Sequence, residues 1–298
     1  MPPGAVPPTD APLDPAGAAL PADLGVPLAA LRSGLGDLGA VVVAFSGGVD
    51  SALLAWVAHA TLGTRALAAT AVSPSLAPDE LAHCRELAAE WGLAWEARPT
   101  AEMEDPRYVA NDGDRCRWCK TALMDELAPL AVARRATVVL GVNVDDLADH
   151  RPGQQAAAEA GAAFPLVEAG FTKAMVRAAS RALGLRTWDR PAAPCLSSRL
   201  PYGTPVTVGA LDRVGRAEAA LRALGFAEVR VRHHGATARV EVPLDRLGAV
   251  VGARGPVVDA VRAAGYRRVT LDLEGFRTGN LNADLGAPPA TGGRHTAT

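Results

Sequence analysis

AVVVAFSGGVDSALLAWVAHATLG, residues 40–63, is the stretch of sequence that decides the fold of this chain. AVVVAF is a short continuous apolar run, which is typical of a buried parallel strand. SALLAWVAHATLG is typical of a helix that ends at Gly63. The polar hexapeptide SGGVDS at 46–51 is therefore predicted to form the turn between a strand and a helix.

The alternation of strand and helix continues beyond this stretch. Strands are predicted at 66–73, 93–99 and 137–143, and helices at 78–91 and 120–135. This order is typical of an α/β fold with a doubly wound parallel sheet and right-handed crossovers.

The pattern changes after about residue 205. An amphipathic helix at 211–224 precedes alternating strands at 228–234 and 238–242, and a last strand is predicted at 267–273. This order favours a small α+β domain with antiparallel pairing. The Pro/Ala-rich N-terminus and the Gly/Pro-rich C-terminus are typical of disordered tails. The predicted organisation is a tail at 1–25, an α/β domain at 26–204, an α+β domain at 205–283 and a tail at 284–298.

The bulk composition indicates a small-molecule partner. The net charge is −2 and the pI is near 6.3, so no general positive field attracts a nucleic acid. No apolar run is long enough for a membrane span, and the N-terminus lacks the basic and apolar regions of a signal peptide. Four cysteines are too few for a disulfide framework. We expect a cytoplasmic protein with neither a nucleic-acid nor a membrane partner.

The SGGVDS segment has the composition of a phosphate-binding loop. Gly47 and Gly48 let the backbone approach an anion closely, and successive N–H groups form a nest at the helix N-terminus. The hydroxyls of Ser46 and Ser51 can donate to the same oxygens. Asp50 would repel bare phosphate, so its presence predicts a bridging Mg²⁺. The loop lacks the lysine of GxxxxGK[ST], and an ordinary serine-capped turn is the alternative.

The loop and its placement resemble the ATP-pyrophosphatase (PP-loop) superfamily, and longer segments identify one branch of it. These segments are NDGDRCRWCK at 111–120, GVNVDDLADHRPG at 141–153 with FPLVEAGFTKAMVR at 164–177, and TWDRPAAPCLSSRLPYG at 187–203 with RVRHH at 230–234. Together they resemble the LarE family, the ATP-dependent sulfur transferases of nickel-pincer nucleotide biosynthesis. The resemblance runs from about residue 28 to about residue 245.

The resemblance implies a reaction and a set of partners. ATP would adenylate a carboxylate of a pyridinium dicarboxylate mononucleotide, and sulfur would then replace an oxygen to give a thiocarboxylate. In some members the sulfur comes from a cysteine that becomes dehydroalanine, and in others three cysteines hold an iron–sulfur cluster. The partners would be this mononucleotide and a sulfur donor, and we expect a homo-oligomer. Glu218 corresponds by position to an acid of the family's substrate site.

Cys195 is the candidate catalytic thiol. It precedes Ser198 and Arg199, so a hydroxyl and a cation follow it closely in sequence. Arginine can lower a thiol pKa and bind a carboxylate or phosphate bidentately. A buried structural cysteine is the alternative for Cys195, and Cys84, at an apolar helix position, is predicted to be core.

Cys116 and Cys119 form a CxxC pair that fits a zinc half-site, a redox pair or two cluster ligands. No second CxxC completes a Cys₄ zinc site. With Cys195 as a third thiolate, the three could hold a [4Fe–4S] cluster with one open iron. Two reduced thiols without a cluster are the alternative.

The remaining candidates are substrate-binding residues. Trp118 could stack on a pyridinium ring, or it could be a core residue. Arg230 and Arg232 alternate on a strand and so face the same side, which suits a phosphate; exposed strand arginines are the alternative. Asp145, Asp146 and Asp149 could complete a Mg²⁺ site, or Asp145 could cap a helix.

Three other functions compete with this interpretation. A tRNA thiolase of the same superfamily also combines SGGxDS with cysteines, but it needs a basic surface. An ammonia-using synthetase would not need the cysteines. A nucleotide-binding regulatory protein would keep the loop without its chemistry.

Overall fold

A computed structural model describes residues 23–148 and 152–276. These residues form two compact units. The first contains 23–109 and 114–195 (apart from 149–151), and the second contains 110–113 and 196–276. No helix among the described residues is long and apolar enough to cross a membrane. Most of the predicted tails lies outside the described residues, but Asp23 and Leu24 of the first tail form an ordered turn.

The first unit alternates strands and helices, as predicted. Its strands are Val41–Ala44 (β1), Ala66–Val72 (β2), Ala94–Pro99 (β3) and Thr137–Leu140 (β4). Its helices are Gly25–Leu38 (α1), Val49–Leu62 (α2), Pro78–Trp91 (α3), Pro106–Val109 (α4), Arg115–Arg134 (α5), Pro152–Glu159 (α6), Pro165–Glu168 (α7) and Lys173–Ala182 (α8).

The four strands form a parallel sheet in the order β3-β2-β1-β4. Val41 and Val43 of β1 pack into one apolar core with residues of α1, α2, α3 and α8. Val42 packs into a second core with residues of α5 and α6. Helices therefore cover both faces of the sheet, which is why its central strand is apolar throughout. The predicted parallel α/β sheet is confirmed.

Helix α5 begins five residues earlier than predicted, at Arg115 instead of residue 120. The start was missed because Cys116, Arg117 and Lys120 give the first turn no apolar period. As a result the CxxC pair lies within a helix and not on a loop before it. Residues 145–205, to which the sequence pattern assigned no strand or helix, contain the three helices α6, α7 and α8.

The second unit is a smaller α+β structure. It consists of the helices Val208–Ala223 (α9), Leu247–Gly252 (α10) and Arg254–Ala263 (α11), and the strands Arg230–His234 (β5), Thr237–Glu241 (β6) and Arg268–Leu271 (β7). β5 and β6 form the predicted antiparallel hairpin. β7 pairs with β6 in parallel, so the expectation of antiparallel pairing throughout is wrong. The α10–α11 connection brings the chain back to the same end of the sheet, as a parallel pair requires.

The division between the units differs from the predicted boundary at 204/205. The 3₁₀ turn Leu196–Arg199 belongs to the second unit, because its side chains and carbonyls bond to α9 and β5. The segment 110–113 also belongs there. Asn111, with φ of 56°, donates from Nδ2 to the carbonyls of Pro201 and Thr204, each at 2.8 Å. Asparagine tolerates this left-handed conformation better than most residues.

Candidate active site

The SGGVDS loop connects β1 to α2, as predicted. Gly48 is the N-cap residue of α2, and Gly47 has φ of 69°, in the left-handed region that favours glycine. A Cβ on Gly47 would lie 3.0 Å from both Cys84 Sγ and His83 Cδ2. The loop therefore needs glycine at position 47 both for its backbone conformation and for its close contact with α3.

The two serines of the loop lie side by side. Ser46 Oγ is 3.0 Å from Ser51 Oγ, and Ser51 Oγ lies 3.1 Å from the Gly48 carbonyl that accepts from it. Both hydroxyls sit at the N-terminus of a 14-residue helix, where the helix dipole favours an anion. This arrangement can bind phosphate oxygens.

Asp50, in the first turn of α2, has two side-chain partners. Its Oδ2 accepts from Lys173 Nζ at 2.5 Å, and its Oδ1 accepts from Asn143 Nδ2 at 3.1 Å. The same Nδ2 donates to Asp146 Oδ2 at 2.9 Å, so two carboxylates converge on one amide. Neither Lys173 nor Asn143 is among the site residues predicted from the sequence. The signal for Asn143 was its position as the first polar residue after a buried strand.

The segment that follows β4 packs closely against the SGGVDS loop. A Cβ on Gly141 would lie 2.7 Å from the backbone N of Ser51, so a larger residue would displace the loop. Asp145 Oδ2 accepts from the backbone N of Lys173 at 2.8 Å. Asp145 therefore bonds to the first residue of α8, a capping role of the kind that the sequence left open. Asp149 lies outside the described residues.

Two side chains of α3 lie under the loop. Cys84 is fully buried, which confirms it as a core residue, and burial raises its pKa to about 11. Burial, together with the charges of Arg190 and Arg186, lowers the pKa of His83 to about 4. At neutral pH the two side chains that contact the loop, the imidazole of His83 and the thiol of Cys84, are therefore both uncharged.

The CxxC cysteines lie three residues apart in the first turns of α5 and so share a helix face. Cys116 is exposed and Cys119 is half-buried. Burial, followed by the charge of the neighbouring Cys195, raises the pKa of Cys119 to about 12, while Lys120 opposes the shift. The three thiols that the sequence brought together thus lie in one neighbourhood, and Cys119 is a protonated thiol at neutral pH.

This neighbourhood is not a ready-made metal site. Within 23–148 and 152–276, no group of three histidine, cysteine, aspartate or glutamate side chains is placed to hold a metal ion. Thiols are the correct donors for an iron–sulfur cluster, but the structure does not assemble Cys116, Cys119 and Cys195 as its ligand set. The three cysteines that were predicted to converge therefore lie near one another, but they are not placed as the ligands of one metal site.

Trp118 lies between the two cysteines and is not a core residue. The guanidinium carbon of Arg107 is 3.8 Å from its ring centroid. Asp105 holds Arg107 in place with contacts from Nε and Nη2 at 2.8–3.2 Å. Trp118 therefore already binds a cation on one face, the type of contact that was predicted for a pyridinium ring.

Among the candidate residues of the second unit, Arg199 and Glu218 form a buried ion pair. Arg199 Nε donates to Glu218 Oε1 at 2.8 Å, and Arg199 Nη1 donates to Ser198 Oγ at 2.8 Å. Glu218 also accepts from the backbone N of Val231 at 3.0 Å. Both charged side chains are buried, so a solvated helix glutamate, the alternative for Glu218, is excluded.

Arg230 and Arg232 have different surroundings although they alternate on β5. Arg232 is buried; its Nε donates to Glu241 at 2.9 Å and its Nη1 to the Ser198 carbonyl at 2.7 Å. Burial, followed by the charge of Arg199, lowers the pKa of Arg230 to about 10, and Glu218 opposes this shift. Of the charged groups that act on Arg230, three are arginines (Arg199, Arg232 and Arg222) and one is the carboxylate of Glu218. A group of guanidinium side chains of this kind suits an anion. Exposed strand arginines are excluded at both positions.

A named relative of this chain identifies its family. No family model matches the chain. An uncharacterized protein of Synechocystis sp. is 49% identical over 258 residues, 86% of this chain and 96% of that protein. The pyridinium-3,5-bisthiocarboxylic acid mononucleotide synthase of Lactiplantibacillus plantarum is 38% identical over 266 residues, 89% of this chain and 96% of the synthase. Since this similarity spans both units, the chain belongs to the LarE family of sulfur transferases.

Proposed function

We propose that this enzyme uses ATP to convert a carboxylate of a pyridinium dicarboxylate mononucleotide into a thiocarboxylate, in the biosynthesis of the nickel-pincer nucleotide. The observation that carries the proposal is the 38% identity, over nearly the whole of both chains, to a synthase whose name states its bisthiocarboxylic acid mononucleotide product. The SGGVDS loop and the arginine-rich second unit supply the two binding functions that such a reaction needs.

The first binding function is that of an ATP-pyrophosphatase. We assign the ATP phosphates to the N–H groups of Gly47 and Gly48 and to the hydroxyls of Ser46 and Ser51, with Asp50 toward the metal. Asp50 and Asp146 accept from the same amide of Asn143, so hard carboxylate oxygens are available to Mg²⁺. Bound Mg²⁺ would neutralise polyphosphate charge, while the loop orients the α-phosphorus for attack by the substrate carboxylate.

The second binding function is recognition of the mononucleotide. The excess of positive charge around Arg230 supports phosphate binding there, with Arg232 and Ser198 held in place by their mutual contact. Arg199 and Glu218 would position a carboxylate-bearing substrate through the buried pair that they form. In the first unit, Trp118 stays our prediction for the residue that stacks on a pyridinium ring, since its face binds the cation of Arg107.

Sulfur transfer follows adenylation. A carboxylate resists substitution because oxide is a poor leaving group, whereas the adenylate loses AMP. We propose that the sulfur of Cys195 attacks the acyl carbon, since a thiolate is the nucleophile that cysteine offers. In the sacrificial route the Cβ–Sγ bond then breaks with loss of the α-proton, which leaves dehydroalanine and a thiocarboxylate.

Iron content and protein mass distinguish this route from a cluster. The sacrificial route predicts a colourless protein that loses about 34 Da, the mass of H₂S, at Cys195; Cys195→Ala would be inactive and Cys116→Ala active. A [4Fe–4S] protein purified without oxygen would be brown, with about four irons and four sulfides per chain, and would keep its mass. Any one of the three Cys→Ala changes would bleach it.

The products of ATP test the function itself. With ATP, Mg²⁺, the dicarboxylate mononucleotide and sulfide, the enzyme should form AMP and pyrophosphate together with a thiocarboxylate. Formation of ADP in stoichiometric amounts would contradict the adenylation chemistry. We also expect a homo-oligomer, which light scattering of the purified protein measures.

A further inference from the structure

The guanidinium of Arg107 is held in one orientation by two neighbours. Its central carbon lies 3.8 Å from the centroid of the Trp118 ring, so the guanidinium rests directly against the indole. Asp105 accepts from Nε at 3.0 and 3.2 Å and from Nη2 at 2.8 Å. The indole therefore limits the guanidinium on one side, and the carboxylate fixes its direction.

This arrangement contributes little to the stability of the fold. The Arg107 side chain is 58% exposed, and its partner Asp105 lies only two residues away in sequence. An exposed ion pair of this kind adds almost nothing to the free energy of folding. The short helix α4 is anchored in the interior by its buried residue Tyr108, and not by Arg107. The fixed orientation of Arg107 therefore indicates a role other than folding.

Three of the five donor hydrogens of this guanidinium stay unused. The contacts with Asp105 engage Nε–H and one hydrogen of Nη2. Within residues 23–148 and 152–276, Nη1 donates to no protein group. Both hydrogens of Nη1 and the second hydrogen of Nη2 form the edge with which a guanidinium binds a carboxylate bidentately. Arg107 can therefore bind a second carboxylate while Asp105 keeps its place.

Arg107 lies beside the neighbourhood of the cysteines. Helix α4, which carries it, packs against α5. Its contact residue on α5, Trp118, directly precedes Cys119, and Cys119 is a neighbour of Cys195. A ligand that is bound at Arg107 is therefore close to the thiol that we propose as the nucleophile.

The substrate of the proposed reaction carries two carboxylates, of which one is activated at a time. In the product that the name of the Lactiplantibacillus plantarum synthase states, the two groups lie at ring positions 3 and 5, so they point in different directions. A residue that binds the carboxylate at rest therefore also fixes the direction of the carboxylate that reacts. Such fixing lowers the entropy that is lost when the nucleophile attacks.

We propose that Arg107 is a specificity-determining residue, which binds the carboxylate that is not being adenylated through its Nη1–Nη2 edge. Asp105 and Trp118 act as positioning residues, because they hold this edge in one direction. The site takes a planar aromatic carboxylate and gives no comparable contact to a neutral group. This inference rests on the proposed function, because the dicarboxylate is the substrate proposed there.

Calorimetric binding of two mononucleotides tests the assignment. Arg107→Met should weaken binding of pyridinium-3,5-dicarboxylate mononucleotide by about tenfold to a hundredfold, the effect of losing one charge-assisted contact. Pyridinium-3-carboxamide mononucleotide, whose ring substituent is neutral, should bind to this variant as it does to the unchanged protein. Arg117→Met removes the same charge from the residue before Trp118, where the pair with Glu159 is exposed, and should change neither affinity.

A second variant keeps the charge and removes the planar fork. Arg107→Lys should still weaken binding of the dicarboxylate, by at least about threefold, because an ammonium cannot bind a carboxylate bidentately. Binding of the dicarboxylate to Arg107→Met at wild-type strength, or an equal loss for the carboxamide, would overturn the assignment. Wild-type affinity in Arg107→Lys would overturn the bidentate contact. Failure of the unchanged protein to bind the dicarboxylate would instead refute the proposed function.

Discussion

The two ion pairs at the proposed binding regions differ most in their access to solvent. Lys173 and Asp50 have side chains that are 41% and 17% exposed, whereas Arg199 and Glu218 are 4% and 1% exposed. The first pair joins two helix N-termini that are 123 residues apart in sequence. The second joins a 3₁₀ turn to the following helix and also bonds the backbone of β5.

This difference separates a pair that can exchange from a pair that is permanent. An exposed pair contributes about 0–1 kcal/mol to stability, so a ligand can replace either partner easily. Removing one member of a buried pair leaves the other charged group without compensation, which costs about 3–5 kcal/mol. The SGGVDS loop is therefore suited to a charged ligand that replaces one member of the Lys173–Asp50 pair. The arginine cluster of the second unit (Arg199, Arg230 and Arg232) is suited to an anion that binds while the Arg199–Glu218 pair stays formed.

The largest effect is expected at the exchangeable pair, on activity. Asp50→Asn should abolish pyrophosphate release, with a loss of at least about a thousandfold, because a neutral amide cannot coordinate Mg²⁺ as a carboxylate does. Pyrophosphate formed from ATP and substrate is the measurement, and the unfolding midpoint should hardly change. Appreciable turnover by this variant would show that Asp50 is not a metal ligand.

The next effect is expected at the permanent pair, on stability. Glu218→Gln should lower the free energy of unfolding by about 3–5 kcal/mol, because the buried Arg199 loses its counter-charge. Asp212→Asn is the matched control: its pair with Arg216 on the same helix is exposed, and its loss should cost under about 1 kcal/mol. Urea denaturation of both variants decides the comparison, which fails if the two losses are equal.

A smaller effect is expected on substrate affinity within the arginine cluster. Arg230→Ala should weaken mononucleotide binding by about tenfold to a hundredfold while ATP binding is retained, because one charge-assisted contact is lost. Arg232→Ala should weaken it too, and should also destabilise the fold, since Glu241 is buried. Arg268→Ala, on an exposed strand position, is the control. Equal losses of ATP affinity would place both arginines at the adenylation site instead.

The smallest effect concerns the neutral imidazole under the loop. The pKa of His83 is lowered to about 4, so the unfolded chain binds a proton in the window between about pH 6.5 and pH 4 and the folded chain does not. Stability should therefore fall as the pH drops through this window. We expect His83→Gln to remove about 1–2 kcal/mol of this dependence, after allowance for partial exposure. Urea denaturation at pH 7 and pH 4.5 measures it, and an unchanged pH dependence in the variant would contradict it.

Local signals explain what the sequence predicted well. Helix α3 was placed at its observed bounds because Pro78 begins it and Gly92, with φ of 66°, ends it. The central strand was recognised from its apolar run, and the loop from its two glycines. These features depend on neighbours in sequence, which pattern analysis reads directly.

Long-range pairing explains what was missed. Lys173 and Asn143 are both far from Asp50 in sequence, and no periodicity connects them. The sequence predicted that Arg230 and Arg232 lie on one face of the strand. Only the fold shows that Arg232 pairs with Glu241 on the neighbouring strand, while Arg230 lies near other arginines. The roles of charged residues depend on which partner the topology brings near.

The contacts of Asn111 have a consequence for dividing the chain into fragments. The second unit borrows 110–113 from within the first, and Asn111 satisfies the carbonyls of Pro201 and Thr204. A fragment cut at 195/196 would begin with these carbonyls lacking their donor, so it should express as a less stable protein than its length suggests. A fragment that carries a grafted 110–113 segment is the better starting point for expressing the second unit alone.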